Sequence, residues 1–191
     1  MIFQEPPEYL VIDGEKYPID TDFRTWIKFF YVANKREELE GFFEQLALPF
    51  SQSAANAVCD FFVGPIQTDK SGKKTFDFKA DEKMIYSAFQ GAYNIDLMNI
   101  PHLHWWKFMS LFRSLPEGSE LRTAMYFRGV NINDLPKSQR PHAIKMKNLY
   151  SIESQNGKKG VSLRDHVEHL KKLQEESRLS KMRNDQQPGV D

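Results

Sequence analysis

The sequence predicts a mainly α protein: a compact multi-helix domain, a small N-terminal β-hairpin before it, and a polar, partly disordered C-terminal helix after it. Three observations carry this reading. Through most of the first 150 residues apolar side chains return every three or four positions, the period of a helix with one buried face. Ahead of that stretch, two short apolar runs flank a single Asp-Gly pair, the pattern of a two-residue hairpin turn. Beyond it the apolar residues thin to a narrow stripe among charges of both signs.

The hairpin is expected from Tyr9 to Ile12 and from Glu15 to Ile19, around Asp13-Gly14, with Pro18 placing its strand at an edge. The first helix follows, with Phe23, Trp26, Ile27, Phe30 and Tyr31 as its inward stripe and Asp20 or Thr21 as its cap. A second helix sets Leu39, Phe42, Phe43 and Leu46 on one face and closes at Pro49. The third repeats the arrangement with Ala54, Ala55, Val58, Cys59 and Phe62, closed by Gly64-Pro65. A turn-rich loop, in which "TFDF" offers a short extended piece, leads to a helix over roughly Asp81 to Tyr93 carrying Met84, Ile85, Ala88 and Phe89. "PHLHWWKFMSLF", residues 101 to 112, then reads as one helix, and Ser119 caps another that Gly129 ends. A last helix in this body is expected to turn Ile144 and Leu149 inward.

With 191 residues, 40% of them hydrophobic, the chain can form one well-buried core and an appendage, so residues 1–152 are read as the domain and 153–191 as linker, solvated helix and tail. Lys+Arg and Asp+Glu both number 26, and this neutral balance lacks the basic excess that draws proteins onto phosphate backbones; nucleic acid is not expected as a partner. No apolar run reaches the roughly 20 residues of a membrane span, and the N-terminus has no export pattern, so no membrane partner and a cytoplasmic site of synthesis are expected.

The search for chemistry returns little. Cys59 is the single cysteine and lies in an apolar run, where a lone thiol is a small hydrophobe. His102 with His104, and His166 with His169, have spacings that two metal ligands can use, but no cysteine or carboxylate cluster completes either set. No phosphate loop, nucleophile elbow or calcium loop occurs. The chain is therefore expected to be non-enzymatic, with no cofactor and no metal.

What the composition leaves unexplained is the pair Trp105 and Trp106, since helix neighbours point about 100° apart and one core face cannot take both. Phe108, Met109, Leu111, Phe112 and Leu115 gather around Trp105, which is a core residue. Trp106 falls instead among His102, Ser110 and Arg113 on the flank of the polar half. Either another element of the same domain covers it, or it anchors a partner, since tryptophan and arginine lead the residues that dominate binding interfaces. The candidate protein-binding residues are thus Trp106, Arg113 and His102, together with Leu163, Val167 and Leu170 on the C-terminal stripe.

The stretch from Asp81 to Leu121 resembles a family of tailed-phage proteins, the bacteriophage Gp15 family of siphophages and prophages of Gram-positive bacteria. The resemblance rests on Ala92-Tyr93, Ile95-Asp96-Leu97, Leu103 to Phe108, and Leu111 with Leu115-Pro116. Further elements stand as Tyr126 with Arg128, and as Lys145, Lys147, Leu149 and Tyr150. The resemblance implies a role in building the long non-contractile tail. Such genes lie in the tail module, typically just upstream of the tape-measure gene, where tail assembly chaperones are encoded. The implied function is a chaperone that binds the tape-measure protein, with the tail tube protein as a further partner, acting in the cytoplasm of the infected host. The alternatives are a structural virion component, such as a tail-completion or connector subunit residing in the virion tail, and a small metal-dependent enzyme. The resemblance implies no catalytic residue, and self-association is left open.

Overall fold

The structure is a computed structural model of the chain and describes residues 5–33, 35–64 and 74–152. It is mainly α, with a two-stranded antiparallel hairpin at the N-terminus and seven α-helices among the described residues. No helix there is long and apolar enough to cross a membrane. The expected C-terminal helix, with Leu163, Val167 and Leu170, lies outside the described residues. The described residues fall into two compact units, one holding residues up to 64 together with 104–106, the other holding 74–103 and 107–152.

In the first unit β1 (Tyr9–Ile12) pairs with β2 (Glu15–Pro18), and both turn residues take positive φ, Asp13 at 50° and Gly14 at 90°, as a two-residue turn of this hand requires. β1 turns Leu10 and Ile12 inward and leaves Tyr9 and Val11 exposed, and the helix over Gln52–Val63 packs against it. Helix α1 (Phe23–Val32) is capped by Asp22 rather than by Asp20 or Thr21, since the Asp22 carboxylate accepts the Arg24 amide at 3.0 Å. Asp20 binds the Asp22 amide and the Thr25 hydroxyl instead.

The buried stripe of α1 is Phe23, Trp26 and Phe29 rather than Phe23, Trp26, Ile27, Phe30 and Tyr31. Steps of three rather than four win here because Trp26 and Phe29 sit between Phe42, Phe61 and Phe62 in one aromatic cluster. α2 (Arg36–Gln45) buries Phe42 and Phe43, with Leu46 just past its end; α3 (Gln52–Val63) is capped by the Ser51 hydroxyl and buries Ala54, Val58, Cys59, Phe61 and Phe62.

In the second unit residues 74–77 carry no regular structure and a turn follows at 78–81, so no paired strand forms at "TFDF" among the described residues. α4 (Glu82–Tyr93) buries Ile85, Ala88 and Phe89 and ends on Asn94 in the left-handed region. α5 runs from Trp105 to Arg113, so Pro101 to His104 precede it and His102 is not on the helix. Phe108, Met109 and Phe112 from this helix are buried, Phe108 stacking on Phe89 at 5.0 Å. α6 (Glu120–Gly129) takes its cap from Ser119 and leads through a 3-10 turn at Ile132–Asp134 to α7 (Arg140–Leu149). α7 buries Ala143 and exposes Ile144 and Leu149, contrary to expectation. Five residues at 100° each place those two about 140° apart, so one inward face cannot hold both; Ala143, Met146, Lys147 and Tyr150 form the face that packs.

Candidate functional site

The two tryptophans end helix α3. A helix leaves its last carbonyls without intrahelical partners, and α3 ends at Val63. Four residues after Phe61 the sequence places Pro65, which has no N–H to give. Trp106 supplies the missing donor: its indole Nε1–H donates to the Phe61 carbonyl at 2.9 Å. Trp105 Nε1–H donates to the next carbonyl, that of Phe62, at 3.0 Å, while the Trp105 ring stacks on the Phe62 ring at 5.3 Å. Gly64 donates to the Asp60 carbonyl at 2.9 Å. Two adjacent indoles about 100° apart thus meet two adjacent carbonyls that a helix also fans about 100° apart.

The same helix start is fixed from two other sides. The Trp105 amide donates to the Thr21 carbonyl at 2.7 Å, beside an isolated antiparallel bridge between Asp22 and His104. His104 precedes the helix and acts as its cap: Nδ1 accepts the Trp106 amide at 3.0 Å. That acceptor role leaves the ring proton on Nε2, which donates to the Pro7 carbonyl at 3.0 Å. Gly64 is required by contact, since a Cβ there would lie 2.5 Å from Trp106 Cζ2.

Trp105 is fully buried and Trp106 half-buried, its ring 5.8 Å from that of Phe61. Covering of Trp106 comes from the end of α3, within its own unit, and its hydrogen-bonding group is committed there. The other candidates divide. His102 is exposed in the turn before α5, and Arg113 is exposed in the last turn of that helix; both belong to the second unit, whereas Trp106 belongs to the first. The two histidines of the H-x-H pair differ in access, His102 exposed and His104 buried with both nitrogens engaged.

In the second unit the buried polar centre is Asp81 with Arg128. The guanidinium meets the carboxylate with two bonds, Nη1 to Oδ2 at 2.6 Å and Nη2 to Oδ1 at 2.8 Å, and both side chains are buried. Arg128 also donates to the carbonyls of Thr75 and Tyr150, and Asp81 Oδ2 also accepts the Asp77 amide. The pair ties α6 to the turn before α4 and to the end of α7. Lys147 reinforces this by donating to the Val130 carbonyl at 3.0 Å. Sequence reading missed the pair because Asp81 and Arg128 are far apart in the chain; Arg128 stood only as part of a family element and Asp81 only as a charged residue at a helix start.

Other motif residues are likewise occupied by the backbone. The Tyr93 hydroxyl donates to the Leu111 carbonyl at 2.8 Å. Asp96 accepts the amides of Met98 and Asn99 and the Asn99 side chain, and the Asn99 amide above all holds its carboxyl below the usual carboxylate range. Cys59 is buried, and burial, helped by the neighbouring Asp60, pushes its thiol up to about 12, so the thiol keeps its proton at neutral pH. Among the described residues no group of three or more His, Cys, Asp or Glu is placed to hold a metal ion.

Several large hydrophobic side chains face solvent. In the first unit these are Tyr9, Val11 and Phe50, and in the second Met98, Tyr126, Ile144 and Leu149, with Met98 and Leu149 the most open at 68%. No curated protein and no solved structure matches the chain. A protein-family model described as "Bacteriophage Gp15 protein" matches residues 45–152.

Proposed function

The chain belongs to the bacteriophage Gp15 protein family, a phage structural or assembly protein, and on that premise we propose that it is a tail assembly chaperone for the tape-measure protein of a non-contractile tail. The observation that carries the reading is the family match over residues 45–152, which spans α3 to the end of α7 and includes both tryptophans. The motif side chains of Tyr93, Trp105, Trp106 and Arg128 hydrogen-bond to backbone carbonyls, so what they support is a scaffold, and binding falls to the side chains this scaffold leaves in water, Tyr126 and Leu149 of the same motif among them. The mechanism is a non-enzymatic one: exposed apolar residues such as Met98, Tyr126 and Leu149 accept the apolar stripe of a long helix, as grooves accept amphipathic helices. Trp106 contributes only the part of its ring that α3 leaves uncovered. Leu163, Val167 and Leu170 add a contact from the C-terminal stripe, and the site of action is the cytoplasm of the infected host.

Co-expression with the tape-measure protein of the same genome tests this. The tape measure is expected to become soluble and to co-purify with the chain. If its solubility is unchanged and the two never co-purify, the reading fails.

A further inference from the structure

The hairpin has one edge that can pair and one that cannot. With a two-residue turn at Asp13-Gly14, Ile12 and Glu15 are a hydrogen-bonded pair, and alternation makes Leu10 with Tyr17 the next. The Ile19 amide donating to the Glu8 carbonyl at 3.2 Å continues the same phase. Tyr9 and Val11 are therefore the non-hydrogen-bonded positions, and their N–H and C=O groups point away from β2, off the far edge of β1. On the far edge of β2 the corresponding residues are Lys16 and Pro18, and Pro18 has no N–H. The edge of β1 thus keeps a full set of donors and acceptors, while that of β2 is blunted by a proline and a lysine, as strand edges guarded against pairing are. Among the described residues β1 has no strand neighbour other than β2.

We propose that the far edge of β1 pairs antiparallel with the same edge of a second copy of this chain, Tyr9 of each copy opposite Val11 of the other, joining two hairpins into a four-stranded sheet. The register follows from the outward groups. Tyr9 and Val11 must form the hydrogen-bonded pairs, so Leu10 lies on the two-fold axis and each Tyr9–Val11 pair exchanges two bonds. Both side chains stand on the solvent face, Tyr9 41% and Val11 55% exposed, while Leu10 and Ile12 turn into the core. Pairing sets an aromatic against a β-branched side chain, a favourable cross-strand combination, and covers both.

A second copy fits this edge better than an unrelated strand does. The register is self-complementary, and it opposes Glu8 to Ile12 and Asp13 to Pro7, so no like charges face each other. Equal numbers of acidic and basic residues leave no net charge to drive copies apart. Because only one edge of each hairpin is complete, assembly closes at two. The contact is far smaller than the roughly 1,200 Å² of stable interfaces, so association is weak and depends on concentration.

Amide hydrogen exchange of the full chain, followed over a roughly hundredfold range of concentration, tests the pairing. The amides of Tyr9 and Val11 are expected to slow several-fold as concentration rises, while that of Lys16, on the blunted edge, does not change. Sedimentation over the same range is expected to show a dimer that Val11→Lys, which sets a charge into each cross-strand pair, reduces to monomer. Should Val11→Lys fail to fold, the exchange measurement on the natural chain still decides. Exchange at Tyr9 and Val11 that is independent of concentration overturns the proposal, as does protection that appears only when a different protein is added.

Discussion

The indole of Trp106 donates to the carbonyl of Phe61 at 2.9 Å, the carbonyl that Pro65 cannot serve. Both members of the tryptophan pair are thereby explained by one event, the ending of helix α3. Trp105 does the same for Phe62 from within the core, and Trp106 does it from the core's margin.

Replacing Trp106 by Phe keeps a ring against Gly64 and removes the donor. Chemical unfolding should show a loss of about 1 kcal/mol, the net worth of one hydrogen bond. Trp105→Ala should cost more, about 3 to 5 kcal/mol, because a fully buried ring is deleted as well. Equal losses for the two would contradict the assignment of one tryptophan to the core and one to its margin.

Gly64 has helical dihedrals, φ −47° and ψ −44°, so helix propensity alone favours alanine there by about 0.5 to 1 kcal/mol. The indole reverses this, since the added Cβ meets Trp106 Cζ2 at 2.5 Å. Gly64→Ala should destabilise the natural chain and stabilise a chain that already carries Trp106→Ala. A double-mutant cycle measured by urea unfolding shows whether the sign changes.

Arg128→Met leaves the Asp81 carboxylate buried and without its guanidinium. The expected loss is about 3 to 5 kcal/mol, and adding Asp81→Asn should recover part of it by removing the stranded charge. Arg128→Lys is expected to rescue poorly, since one ammonium cannot reproduce the two-bond fork and the carbonyl contacts to Thr75 and Tyr150. Thermal unfolding of the four chains checks the order.

Cys59 bears on the alkaline limit of stability. Its folded value, about 12, lies above the ordinary 9.0, so the folded chain keeps the thiol proton that the unfolded chain gives up. The stability from this group is complete below pH 9 and declines as the pH rises from there toward 12. At pH 8 a thiol reagent should react with the native chain only as fast as the chain opens. Immediate reaction would show that the thiol is accessible.

Asp96 acts at the other limit. Its carboxyl is held down mainly by the Asn99 side chain, so its contribution is present above the ordinary carboxylate value of 3.8 and is lost as the pH falls through the lowered one. Titration of the Asp96 carboxyl by NMR should give a value below 3.8 that rises toward it in Asn99→Ala.

The sequence revealed the helices well where one apolar stripe and one cap dominate. Ser119 and Gly129 mark the ends they were read to mark, and Asp13-Gly14 makes the hairpin turn. It misled where a neighbour decides the phase. Phe29 enters the core because Phe42 and Phe62 receive it, and Ile144 and Leu149 stay out because the face of α7 that packs is the one carrying Ala143. The site was legible only as a question. A helical wheel shows that Trp106 leaves its own helix's core face, but the carbonyl it serves lies 45 residues away, and Arg128 finds Asp81 across 47. Long-range polar pairs leave no period in a sequence.

The chaperone reading is tested most directly by quantitative mass spectrometry of infected-cell extracts and of purified virions from the same phage. The account predicts the chain bound to the tape-measure protein in the extract and absent from the virion. Stoichiometric copies in the purified virion would contradict it and make the chain a structural part of the tail.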